Sequence, residues 1–142
     1  MNKETNTIKK ERVNKIKVDP RLKLCIYSLF ENESQVIIKC SYKATYEGEG
    51  IRISKSTFLV PHGYNLYTSR LIFAHNISMY PEWTLLKAGV DFQFTLVFSC
   101  LPKDCKSFDM IENIATPGAI IIRDIQRNDT DIYNLNVTAD EE

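Results

Sequence analysis

The feature that most constrains this chain is a two-residue alternation of apolar and polar side chains. Val36, Ile38, Cys40, Tyr42 and Ala44 fall on one parity, with Gln35, Lys39, Ser41 and Lys43 opposite and only Ile37 out of step. Successive side chains of an extended strand point to opposite faces, so this spacing sets one face against a core and the other against water. The same parity recurs in Val90, Phe92, Phe94, Leu96 and Phe98, with Asp91, Gln93 and Thr95 between them. Such a strand belongs in the middle of a sheet, where burying each large apolar side chain stabilises the fold by roughly 1.5–3 kcal/mol.

The rest of the chain reads with the same period. Residues 1–20 are polar, rich in Lys and Asn, and close at Asp19-Pro20, so they are expected to form an extension with too little apolar surface to order. Leu24, Ile26, Ser28 and Phe30 alternate in a first strand beginning at Leu22, and Glu31-Asn32-Glu33-Ser34 reads as a hairpin turn. Glu47-Gly48-Glu49-Gly50 is a second turn, Ile51 to Val60 a β-branched strand, Pro61-His62-Gly63 a third turn, and Tyr64 to Phe73 an aromatic-rich strand. Pro81, Trp83, Lys87 and Gly89 interrupt any period over 75–89, which predicts a long connection with one helical turn. Pro102 ends the strongest strand because proline lacks the ladder donor. Ser107 to Glu112, Ala119 to Gln126 and Ile132 to Val137 follow as strands, the last an edge strand, with turns at Thr116-Pro117-Gly118 and Asn128-Asp129-Thr130-Asp131. The expected organisation is an all-β domain over 21–138 between the polar extension and an acidic tail at 139–142. Its expected form is an immunoglobulin-like antiparallel β-sandwich of seven to eight strands.

Length and charge narrow the function. The 142 residues suit one domain. The 18 basic and 18 acidic residues cancel, so the chain lacks the overall basic field that concentrates nucleic acid, and no nucleic-acid partner is expected. No apolar run approaches the roughly 20 residues of a membrane-spanning helix, so no membrane insertion is expected. Met1 to Arg12 carries positive charge without a following apolar stretch, which points to the cytoplasm as the sequence stands, or to the cell envelope if the true start lies upstream. Sequons at Asn32, Asn76, Asn128 and Asn136 read as chance matches in that setting.

Few residues carry legible chemistry. Cys100 and Cys105 are spaced like a loose metal hairpin, but a zinc site needs a second pair, and Cys25 and Cys40 sit singly in strands. Cys40 shares the face of Val36 and Ile38, as a buried hydrophobe does. A Cys100–Cys105 disulfide is sterically open, though a reducing cytoplasm opposes it. His62 and His75 lie in or beside turns, and nothing in the sequence sets either against Cys100 or Cys105, nor is a Ser/His/Asp arrangement legible. No catalytic, cofactor-binding or metal residue is assigned. The candidate partner surface consists of Tyr80 and Trp83, an aromatic pair in the long connection, with Asp109 and Glu112 as polar residues at a strand edge. The alternative for Trp83 is a ring folded back to cap the core.

The segment from Phe94 to Glu112 has the form F-x-L-x-F-x-x-L-P-K-x-x-K-S-F-D-x-I-E. It resembles a motif in a bacterial β-sandwich accessory domain found ahead of thioredoxin-like disulfide reductase domains in cell-envelope proteins. Ile51-Arg52-Ile53-Ser54 through Leu59 and Glu33-Ser34-Gln35-Val36 are similar to that domain's earlier strands, so the resemblance covers roughly residues 20–127. It implies an immunoglobulin-like fold and no site residues, since the motif's members read as fold determinants. The chain departs from the family where Glu49-Gly50 replaces aromatic residues, and in having no Cys-x-x-Cys, so reductase activity is not implied. The expected function is a non-catalytic binding module for a protein partner, without cofactor; the alternative is a small metal-binding or redox-sensing protein using Cys100 and Cys105.

Overall fold

The computed structural model describes residues 35–114 and 118–137. The polar extension, the strand expected from Leu22 to Phe30 with its turn, Cys25 and the acidic tail lie outside the described residues. Among those described the fold is all-β, without helix: β1 Val36–Lys43, β2 Gly50–Ile51, β3 Thr57–Pro61, β4 Ser69–His75, β5 Thr84–Leu85, β6 Asp91–Phe98, β7 Ser107–Glu112, β8 Ile121–Gln126 and β9 Ile132–Asn136.

Seven strands form one sheet in the order β8-β7-β3-β4-β6-β1-β9, and β2 pairs with β5 in a second, small sheet. β1 and β6 follow the expected parity, and β7 alternates in the same way. Val36, Ile38, Cys40 and Tyr42 of β1, Phe94, Leu96 and Phe98 of β6, and Phe108 and Met110 of β7 are buried in one apolar cluster. β6 lies between β4 and β1, as the apolar face of Phe92, Phe94, Leu96 and Phe98 requires.

The large sheet curls into a sandwich-like shape. β3 and β4 share only the pairs Phe58 with Arg70 and Leu59 with Ser69, whereas β3 and β7 pair from Thr57 with Glu112 to Pro61 with Phe108. Phe108 on β7 meets Tyr133 on β9 edge to face at 5.2 Å, so the strands near the two ends of the order pack against each other.

Strand direction differs from expectation at one edge. β9 runs parallel to β1, from Ile37 opposite Ile132 to Ser41 opposite Asn136, so the sheet is mixed and not wholly antiparallel. The cause is the route of the chain: β8 and β9 sit at opposite ends of the strand order, and the link over 127–131 crosses from one to the other instead of turning back in a hairpin. Arg127 clasps that crossing. Its Nε donates to Asp131 at 2.6 Å and its Nη1 to the carbonyls of Pro102 at 2.9 Å and Cys105 at 3.2 Å.

Three local expectations are corrected. The strand from Ile51 to Val60 is broken, because the Thr57 amide and hydroxyl turn back to the Ser54 carbonyl and the Ser54 side chain accepts from the Ser56 amide. The strand expected from Tyr64 begins at Ser69 and runs to His75, with a register shift between Leu71 and Phe73. The connection over 75–89 contains β5 and no helical turn. Val90 lies outside β6 and is exposed, since Gly89 takes a φ of 78° and its amide bonds back to Ala44.

Candidate functional site

The small sheet carries the most distinctive exposed surface. Ile51 and Ile53 are buried, so strand parity sends Gly50 and Arg52 outward. Gly50 pairs with Leu85, and Trp83 shares the parity of Leu85. The outer face therefore holds Gly50, Arg52, Trp83 and Leu85, with Tyr80 at its border. Tyr80 is 62% exposed, Trp83 54% and Leu85 73%.

Backbone and hydroxyl contacts hold these side chains in place. The Ile53 amide donates to Ser78 O at 2.9 Å and the Tyr80 amide to Ile53 O at 2.8 Å, fixing the segment that carries Tyr80 beside Arg52. Thr84 Oγ1 accepts from the Ser78 amide at 3.0 Å, which ties the far end of the loop to its start. Trp83 lies so close to Gly50 that a Cβ there would sit 2.7 Å from its Cε3. Glycine at 50 is thus needed for space, because only a residue without Cβ admits the ring. The Arg52 guanidinium carbon is 3.7 Å from the Trp83 ring centre and 4.5 Å from that of Tyr80, and Nη1 donates to Pro81 O at 2.9 Å. An aromatic face attracts a cation through its quadrupole, so the three side chains brace one another while remaining open to solvent.

The structure separates the two residue pairs of the sequence-derived surface. Tyr80 and Trp83 stand together and exposed, and the reading of Trp83 as a core cap is set aside. Asp109 and Glu112 belong to different environments on β7. Glu112 is only 4% exposed, on the inward parity of Phe108 and Met110, and is corrected from partner surface to interior. Its Oε1 accepts from the Ile120 amide at 3.0 Å and its Oε2 from the Ser54 amide at 2.9 Å. Burial raises its pKa, outweighing those two amides and the more distant charge of Arg52. Glu112 is a clamp joining β7, the entry to β8 and the turn after Ile53.

Asp109 points outward into a polar group that sequence reasoning missed. His62, just past β3, places Nδ1 2.6 Å from Ser107 Oγ and Nε2 2.8 Å from Asp109 Oδ1. Burial pushes the Asp109 carboxyl up, but the Asp124 amide at 2.7 Å, His62 and Arg123 together hold it below its usual range. The order serine, imidazole, carboxylate matches the connectivity of an activated nucleophile. Yet the adjacent amides of His62 and Asp124 are spent on Ser107 O and Asp109, so they cannot serve as donors to a developing oxyanion. The group binds β3, β7 and β8 across their outer faces. His62 is 45 residues from Ser107 and 47 from Asp109 in sequence, and no local pattern links it to them.

Three cysteines are interior among the described residues: Cys40, Cys100 and Cys105 are buried, and no cluster of His, Cys, Asp or Glu among those residues could hold a metal ion. Burial pushes the Cys40 thiol up to about 12, as befits a core side chain. Cys105 Sγ donates to Ser107 O at 3.0 Å.

Arg52 and Leu85 were also missed. The signal for Arg52 was present: it is the polar member between Ile51 and Ile53, on the parity of Gly50. Together these features define an all-β domain with one braced aromatic and cationic face. Comparison with protein-family models, curated proteins and solved structures found no match.

Proposed function

We propose that this domain is a non-catalytic, immunoglobulin-like binding module that captures a protein partner on the outer face of β2 and β5. One observation carries the reading: Trp83, Tyr80 and Leu85 are exposed together around a half-buried Arg52, and Trp, Tyr and Arg are the residue types that dominate protein interfaces. They are also pre-ordered by Gly50 and by the hydrogen bonds of the loop, so little freedom remains to be lost on binding. The resemblance of Phe94–Glu112 to a bacterial accessory domain supports the same view, since such a domain takes its role from what it accompanies.

The test compares the full chain with its Trp83→Ala variant as baits for extracts of the source cell. The variant should melt within a few degrees of the parent, because its side chain is half exposed, and should lose a partner the parent retains by roughly tenfold or more. Equal recovery by the two baits would refute the proposal. A variant that unfolds would show that Trp83 is a packing residue.

A further inference from the structure

We infer that the partner presents a carboxylate side chain to Arg52, next to an apolar side chain that covers Trp83 and Leu85. The inference rests on the reading of this face as the capture surface and adds the chemistry of what is captured.

The argument is charge complementarity. Arg52 makes no ion pair among the described residues; it contacts two aromatic rings and one carbonyl. A ring contact uses the cation's charge but none of its N–H donors, and Pro81 O takes one. The acid that feels Arg52 is Glu112, whose two oxygens are both occupied by backbone amides. A guanidinium with unspent donors, held rigid beside apolar surface, is suited to a carboxylate, which it meets with two parallel hydrogen bonds. The neighbouring surface is apolar and exposed at Leu85 and over the rings of Tyr80 and Trp83, so the acid's sequence neighbours are apolar too.

A displayed library of random peptides, selected on the full chain, tests this. The chain contains one tryptophan, so the emission of Trp83 reports occupancy of this face directly. The expected result is enrichment of Asp or Glu beside an aromatic or aliphatic residue, with binding weakened by added salt. Replacing the peptide acid by its amide, or Arg52→Gln in the domain, should each weaken binding roughly tenfold, and both together no further than either alone. Arg52→Lys should restore only part, because an ammonium lacks the fork. The peptide-side change leaves the domain untouched, so a folding defect in Arg52→Gln does not obscure the result. Peptides that require Trp83 but tolerate both acid-to-amide and Arg52→Gln changes would overturn the carboxylate and spare the face. Selected peptides that bind Trp83→Ala equally well, or no enrichment at all, would remove both.

Discussion

Removing the Glu112 carboxylate should destabilise the fold in a way that separates its two hydrogen bonds. In Glu112→Ala the amides of Ile120 and Ser54 both lose their acceptor, the first in a buried setting and the second in a partly buried one. A buried donor left without a partner costs about 1–3 kcal/mol, and loss of a buried charge gives some of that back. A net loss of about 2–4 kcal/mol follows, enough to lower the melting temperature by on the order of 10 °C in a domain of this size. Glu112→Gln keeps one acceptor and turns an NH2 group toward the other amide, so about 1–2 kcal/mol is expected. Urea titration of parent and variants measures both. A Glu112→Ala loss under about 0.5 kcal/mol would refute the clamp.

The pH dependence of the same pair of proteins checks the electrostatics. Burial raises the folded pKa of Glu112 above its ordinary value, so the folded state holds this proton more tightly than the unfolded chain. Its contribution is therefore fully present below the ordinary glutamate pKa and falls as pH rises through the raised value. The stability gap between parent and Glu112→Gln should narrow with rising pH across that window. A widening gap would mean that the two amides and Arg52, not burial, dominate.

Asp109 should behave with the opposite sign. Its folded pKa is lowered by the Asp124 amide, His62 and Arg123 against the effect of burial, so its contribution is present above the ordinary aspartate pKa and lost as pH falls through the lowered one. Acid titration of stability should be shallower in Asp109→Asn than in the parent, and an unchanged acid limb would contradict the assignment. Gly50→Ala tests the seat of Trp83: the added Cβ, 2.7 Å from Cε3, should displace the ring and shift its emission. Stability should change by no more than about 1 kcal/mol, since the alanine stiffens the unfolded chain while an exposed ring moves. Unchanged emission would show that the ring does not depend on that space.

The parts of the fold legible in the sequence are those where burial is one-sided. β1 and β6 keep strict parity, and their inward residues are among those the alternation selects; β7 keeps the same parity, though its sequence was read only as a short strand. That parity also carried Glu112 inward with Phe108 and Met110, but an acid at the end of a strand reads as surface until its two amide partners are known. The break after Ile53 escaped because side-chain bonds at Ser54 and Thr57, not glycine or proline, made the turn. The direction of β9 was beyond reach, since parity says which way side chains point and nothing about which edge a strand joins. Tyr80 and Trp83 were found by residue type. Their relation to Arg52, at least 28 positions away in sequence, depends on the Ile53–Met79 bridge and has no local signal.

The pairing of β1 with β9 has a consequence for how this domain is made. β1 is among the first described strands to leave the ribosome, yet one of its two flanks stays unfilled until residues 132–136 arrive. Until then a row of unpaired amides and carbonyls along β1 is open to any extended segment nearby, including the same strand of a neighbouring nascent chain. Slow synthesis through the final third would prolong that exposure, so the yield of correctly closed protein should depend on translation speed as well as on the stability of the finished sheet.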